Sequence, residues 1–430
     1  GESGAVGQGG GFNTKKLYDF PTIEWLAEVE LRYELGPKME LVNIDNFLYD
    51  AAFDWDKGAH WHREEFREVR RSREYYRTDK YILRELYLDW LPTNWLVRVG
   101  KQQVGWGKMR GKVIDIINPE RNYTGGFQTS DDYEWNRTTT WMTNATYYRK
   151  NSYLQFLWIP DYEANYQQAR NGPFVRNTPS LSPTVRLLKT DRPSKNFLNH
   201  EFGINFDTLI HRWDFSAFYF YHWDDRPTNF RRGSEFIGGR KVTRIEPKPT
   251  RLHTLGTATD VNFDAFNRNW AYRIEGNYTL NDYFPQVNRP GRPAHHTGMA
   301  KRNWIHLAQN ISTKFFRGEM DFTLQVNYLR LFGWDRSIIN LAQATRPDRW
   351  ILVASFMHPF QFSSDRLVGL VIPFYETGSD DFQIRIEASY RISSFLSFKM
   401  RYYGKEGPSD GGFGHGDDKD ILHWELLYAF

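Results

Sequence analysis

The chain contains no cysteine in 430 residues, so no disulfide framework braces it. That composition fits an exported protein as well as a cytosolic one. It also lacks any window near the roughly 18 consecutive apolar residues of a membrane helix, which excludes a helical membrane protein. Charge of one sign is lacking too, and a net charge of +4 over this length is too small to point to nucleic acid. The opening GESGAVGQGG carries no signal-peptide pattern, so the chain is expected to be either processed or never exported. None of these absences counts against a transmembrane barrel, whose strands turn only every second residue to lipid and average out as polar.

What the chain has in excess is aromatic side chains: 32 Phe, 25 Tyr and 16 Trp, against a mean hydropathy of −0.67. They fall in a two-residue rhythm. Residues 421–430, ILHWELLYAF, set Leu422, Trp424, Leu426, Tyr428 and Phe430 against His423 and Glu425. Residues 382–392 set Phe382, Ile384, Ile386, Ala388, Tyr390 and Ile392 against Gln383, Arg385, Glu387, Ser389 and Arg391. The same alternation recurs at 395–404, 319–331, 269–281 and 22–34 and marks strands with one wet and one greasy face. A soluble sandwich alternates as well, but its strands average about 5–6 residues, whereas these run to roughly 9–14, the length of a tilted membrane strand. Trp and Tyr near the strand ends match interfacial girdles.

The connections alternate long and short when read back from the C-terminus. Segments 406–418, 333–347, 282–300, 225–250 and 162–196 are long, whereas Ser393-Ser394, Arg317-Gly318, Asn267-Arg268-Asn269 and His211-Arg212 are tight. Short turns on one side and long loops on the other characterise an up-and-down barrel in an outer membrane. The expected fold is therefore all-β, a transmembrane antiparallel up-and-down β-barrel of about 18 strands, with about 16 as the alternative. An eighteenth strand would hide in 11–20 or in 62–77, and sixteen would follow if 39–49 does not span. Residues 1–20 are expected as a periplasmic segment or first strand and 21–430 as one barrel. The terminal strand is expected to close against the first so that no edge remains. Its Trp424, Leu426, Tyr428 and Phe430 resemble the C-terminal signal that barrel-assembly machinery reads.

Residues 80–122 read KYILRELYLDWLPTNWLVRVGKQQVGWGKMRGKVIDIINPERN. The segment resembles a family of proteobacterial outer-membrane barrels that carries only a domain-of-unknown-function name. The family's hallmark is an RELYLD strand, a tight turn and a GRQQxxWG…DxINP run. Those pieces stand here as Arg84–Asp89, Gly100–Gly107, and Asp115 with Ile117-Asn118-Pro119; Lys101 replaces the usual arginine and keeps the charge. The resemblance implies a porin or passive channel of a kind often encoded near catabolism of hydrophobic or aromatic compounds. Read from the residues alone, the segment is a strand followed by a glycine-rich excursion. Gly100, Gly105, Gly107 and Gly111 permit backbone shapes that other residues resist. The apolar run Val113-Ile114-Asp115-Ile116-Ile117 suits a segment near 106–130 folded into the lumen and docked on its wall; a hairpin rising above the membrane is the alternative.

Candidate pore-lining or constriction residues are Arg98, Lys101, Gln102, Arg110, Asp115, Asn118, Arg273, Arg385, Lys399 and Arg401. Glu24, Glu28, Glu30, Glu85 and Asp89 come from the first strands and the basic residues from later ones. One lumen lined by both would carry a transverse field; a salt-bridged wall, with Arg273 near Glu275 and Arg385 near Glu387, is the alternative. The run HREEFREVRRSREYYR at 62–77 reads as a solvated face, an amphipathic helix or an anion site. Asp410, Asp417, Asp418 and Asp420 lie in a glycine-rich loop and could offer calcium oxygen ligands, although no calcium-loop spacing supports them and a disordered acidic loop reads better. Asp54, Asp56, His60 and His62 match no zinc spacing. Histidines 200, 211, 222, 253 and 306 are expected on a wet lumen wall. No cofactor is expected. The expected partners are outer-membrane lipid and lipopolysaccharide, barrel-assembly machinery and small solutes such as organic or aromatic acids, with a homo-oligomer allowed. A scaffold sheathing a redox protein or docking a lipoprotein, and an outer-membrane hydrolase, are the competing functions.

Overall fold

The computed structural model describes residues 24–50, 82–109, 114–122, 137–167, 184–288, 294–316, 319–338, 346–408 and 420–429. Among them run twenty-two strands: β1 (Glu24–Gly36), β2 (Met39–Asp50), β3 (Leu83–Trp90), β4 (Trp95–Gln102), β5 (Arg121–Asn122), β6 (Thr140–Arg149), β7 (Ser152–Ile159), β8 (Tyr166–Gln167), β9 (Val185–Leu187), β10 (Glu201–Ile210) and β11 (Trp213–Trp223). They continue with β12 (Thr228–Ile237), β13 (Arg240–Lys248), β14 (Arg251–Ala265), β15 (Arg268–Pro285), β16 (Met299–Phe315), β17 (Met320–Leu331), β18 (Asp348–Phe360), β19 (Leu367–Glu376), β20 (Asp381–Arg391), β21 (Leu396–Glu406) and β22 (Ile421–Tyr428). Seventeen of these strands belong to one sheet; β9, β12 and β13 form a second and β5 with β8 a third.

Both places expected for an eighteenth strand, 11–20 and 62–77, lie outside the described residues, as do residues 1–20 and the histidine–aspartate group at 54–62. The segment that a sixteen-strand count would remove, 39–49, is β2. It pairs with β1 along its length and with β3 from Met39 to Asp45. Residues 225–250, read above as one long loop, instead fold into the hairpin β12–β13. Gly238 and Gly239 supply its turn with φ of +56° and +76°, a two-glycine hairpin signal that was present in the sequence. The β14–β15 turn falls one residue earlier than expected, on Phe266 and Asn267, both at positive φ.

By contact the chain divides into two compact units. The first holds β1–β5, the start of β6 and β8. Its antiparallel register aligns Arg32, Val42, Tyr87 and Gly100 in one row, and Glu34, Glu40, Asp89 and Arg98 in the next. Val42, Ile44 and Tyr87 pack together on this face. The acidic residues expected here are met by arginines: Arg32 pairs with Glu30 at 2.5 Å and Glu40 at 3.5 Å, Arg84 with Glu28, and Arg98 with Asp89 at 2.6 Å.

The second unit holds residues 105–117, the rest of β6, β7, and β9–β22. From β6 to β22 each long strand pairs antiparallel with the next long strand in sequence. The ladder therefore carries the alternation from strand to strand in register. Burial is inverted relative to a water-soluble protein: Arg401 and Glu275 are 0% and 1% exposed, whereas Leu422 and Trp424 are 64% and 61% exposed. Apolar side chains left open while ionic ones are covered define a sheet whose greasy face meets something other than water.

Gly100, on β4, shows how tightly the ladder of the first unit is specified. Its φ is +141°, and a Cβ there would lie 2.7 Å from the Tyr87 Cα and closer still to the Leu86 carbonyl. Gly100→Ala is therefore expected to cost about 1–3 kcal/mol. Heat-modifiable gel migration of the purified protein checks this, with unfolding at a lower temperature the expected result.

Candidate functional site

In the first unit the chain leaves β4 through a buried clamp. The Gln102 side chain is fully buried, and its amide donates to the Met142 carbonyl at 3.1 Å. Asn118 Oδ1 accepts from the Val104 amide at 2.8 Å while its Nδ2 donates to the Thr138 carbonyl at 3.1 Å. One asparagine thus serves backbone on both sides, the use for which an amide with separate donor and acceptor ends is suited.

In the second unit, the described residues 105–109 and 114–117 include a segment that docks, through Trp106, Gly107 and Lys108, on the polar face of β7, β10, β11 and β15. Trp106 is buried, with its ring 4.9 Å from Phe218 and 5.8 Å edge-on from Phe220. Its Nε1 donates to Gln155 Oε1 at 2.8 Å. Room for these rings comes from missing side chains. A Cβ on Gly203 would sit 2.9 Å from Trp106, and one on Gly256 would collide with the Phe218 ring. Gly107 has φ of +97°, and a Cβ there would meet Glu275 Oε2 at 2.8 Å and Ile114 at 2.9 Å. The next amide, of Lys108, donates to Glu275 Oε2 at 2.9 Å. Lys108 Nζ then reaches Asp207 at 3.1 Å and also pairs with Asp214. Of the apolar run, Ile114 and Ile117 are buried and Ile116 is half-buried. The Lys108 ammonium thus meets two carboxylates while a third accepts from its backbone amide.

The expected site residues divide accordingly. Arg98 lies on the polar face, bidentate to Asp89 at 2.6 and 2.7 Å, with its guanidinium 3.7 Å from the Tyr87 ring centroid. Lys101 does not share that face: it opposes Leu86, one residue out of phase with Arg98, and its ammonium is buried on the Leu83 carbonyl. A pore-lining role for Lys101 is corrected by strand parity. Gln102 and Asn118 are spent in the buried clamp of the first unit, and Asp115 is half-buried. Arg273 pairs with Asp260 at 3.8 Å, not with Glu275, which faces Lys108 instead. Arg385 and Arg401 share Glu387 at 2.6 and 2.7 Å, and Arg401 also meets Glu425 at 3.2 Å; Lys399 lies opposite Glu425. This part of the wall is salt-bridged, as one of the two readings held.

Trp424, Leu426 and Tyr428 stand on the exposed apolar face of β22. Phe430, Arg110, Asp410, Asp417 and Asp418 lie outside the described residues. Asp420 accepts from the Tyr402 hydroxyl at 2.5 Å and the Lys405 amide at 3.3 Å, and no group of three or more metal-ligating side chains occurs among the described residues. Of the histidines, 222 and 306 fall on the polar face, 211 in a turn, and 200 and 253 on the apolar parity, contrary to the expected lumen wall. Sequence reasoning missed Trp106, Lys108, Asp207 and Asp214, and read Glu275 only as a neighbour of Arg273. The signal available was in β11, where Phe218 and Phe220 occupy wet-face positions that only a covering segment can justify.

Beyond the strands, the loop after β11 holds a perturbed carboxyl. Burial pushes Asp224 up to about 7, with the negative charge of Asp282 adding to the effect and the Arg226 amide, which donates to Oδ1 at 2.9 Å, opposing it. Tyr162, whose hydroxyl donates to the Asp224 carbonyl at 3.2 Å, is raised by burial and by Asp225 and Asp224.

No protein-family model matches the chain, and no curated protein sequence does. Among solved structures it is similar to the crystal structure of Pseudomonas aeruginosa OpdK with vanillate, at 8% identity over 94% of this chain and 91% of that chain, with a TM-score of 0.50. A second crystal structure, of the outer membrane protein opdK from Pseudomonas aeruginosa, matches at 9% identity over 94% and 91%, also with a TM-score of 0.50. Identities this low establish the fold alone. The chain is an outer-membrane β-barrel. Its polar face is the lumen wall, and its apolar face meets lipid.

The sign of the Asp224 effect follows from linkage. The folded carboxyl holds its proton more tightly than an unfolded one titrating near about 3.9, so its contribution is present in full below that value and lost as pH climbs through about 7. Resistance of the loop after β11 to proteolysis is expected to fall between pH about 4 and 7, and Asp224→Asn to flatten that slope.

Proposed function

We propose that this barrel is a water-filled channel for passive diffusion of small solutes, with the segment that carries Trp106 and Lys108 narrowing the lumen. The docking of Trp106 and Lys108 on the polar face carries this reading. A buried indole and a paired ammonium fix the segment to a surface that is otherwise wet, and such a segment occupies cross-section that solute would use. The salt-bridged arginines of β20 and β21 line the same face, so passing ions meet fixed charges of both signs. Organic acids, and aromatic acids among them, are the solutes to test first. The resemblance of residues 84–119 to the porin-like family supports that choice, as does a fold neighbour crystallised with vanillate. Lipopolysaccharide, the barrel-assembly machinery and a homo-oligomer remain the proposed partners; the sheath and hydrolase readings draw no support from the side chains described above.

Reconstitution in a planar bilayer tests the proposal. Discrete conductance steps are expected, and their absence would sink the channel reading. Trp106→Ala removes on the order of 3–5 kcal/mol of docking and is expected to raise single-channel conductance, as is deletion of 108–117. Lys108→Ala leaves Asp207 and Asp214 without their cation, so the reversal potential under a salt gradient should move toward cation preference. Conductance unchanged in all three would dispose of the constriction.

A further inference from the structure

On β10, β11 and β14 the lipid-facing parity carries three residues that hydrocarbon disfavours: His200, just before β10, with Arg251 and His253 on β14. All lie at the long-loop end of these strands, where aromatic side chains gather. Arg251 opposes Trp223 in the ladder. Its guanidinium carbon lies 3.9 Å from the Trp223 ring centroid and 4.5 Å from that of Tyr221. Nη2 donates to the Leu198 carbonyl at 3.1 Å, while Nη1 is buried with no hydrogen-bond partner. His253 Nδ1 meets the Tyr219 hydroxyl at 2.8 Å, and His200 Nδ1 accepts from Trp158 Nε1 at 2.9 Å. Phe197 and Leu198 project from the same edge and are exposed.

Neighbouring cations have partners: Lys195 pairs with Asp161 at 3.2 Å and Lys248 with Asp191 at 3.1 Å. Arg251 has no ion pair with a described carboxylate, and only the charge of buried Glu201 acts on it from beyond pairing distance. A guanidinium held flat by two rings at the height of the membrane interface, with a donor left over, is arranged to receive an anion. We propose that Arg251, with His200 and His253 beside it, binds a headgroup phosphate of lipopolysaccharide in the outer leaflet. A two-fold contact with a second copy fits less well, because it would bring the same cations face to face. The proposal rests on the barrel fold and is independent of the channel reading.

Native mass spectrometry of the full chain in detergent, titrated with diphosphoryl lipid A or with the same lipid after removal of both phosphates, tests the site. Wild type should retain the phosphorylated lipid and release the dephosphorylated one. Arg251→Gln should lose most of the retained lipid, Arg251→Lys should keep part of it, and Arg268→Gln at the short-turn end should match wild type. Equal retention of both lipids by wild type, which needs no variant to fold, would overturn the proposal. So would undiminished retention by Arg251→Gln, or dissociation of an oligomer in that variant, which would make the surface a subunit contact.

Discussion

In hydrocarbon no water is available to satisfy a backbone amide or carbonyl, so each one must be paired within the protein. A continuous antiparallel ladder meets that demand, and the rest of this structure depends on it. Once the register is set, each side chain is committed by parity to lipid or to lumen, and a slip of one residue would exchange the two faces. This explains why arginine and glutamate are among the most buried residues while tryptophan and leucine are among the most open. Their pairing also limits the cost of that burial. A covered guanidinium such as Arg401 is tolerable because Glu387 and Glu425 lie within hydrogen-bonding distance.

The same ladder gives the inward segment its seat. A wall made wholly of charged side chains would offer an apolar loop nothing to bury against. β11 breaks the rule with Phe218 and Phe220, and glycines on β10 and β14 clear space beside them. The segment answers with Trp106 and then with Lys108, which reaches two strand carboxylates. Shape and charge thus act at adjacent residues, the first supplying burial and the second fixing orientation.

Much of the fold was legible because its period is short. Alternation along β20, β21 and β22 assigned most residues to their faces, with Tyr403, Ile421 and Leu427 on the polar parity as exceptions. The rule failed where both faces are apolar, as in β11, because a two-residue pattern cannot tell a lipid-facing ring from one covered by a distant loop. It failed again at Lys101, where motif membership suggested a pore residue and parity placed the side chain out of phase with Arg98. Partners across the sheet were out of reach for a related reason: Arg273 chose Asp260 over Glu275 because register, not proximity in sequence, decides which side chains are neighbours. The β12–β13 hairpin was readable from Gly238-Gly239 and was passed over because the barrel rhythm called for a loop there.

The central claim, that Trp106 and Lys108 lie against the lumen wall, has a direct test because the chain has no cysteine of its own. Lys108→Cys and Asp207→Cys together place two thiols where the ammonium and carboxylate now meet. Treatment of the folded double variant with a short bis-maleimide should give one intramolecular cross-link, read as the mass of a single linker that consumes both thiols. Two separately labelled thiols in the folded protein, with no bridge between them, would contradict the account.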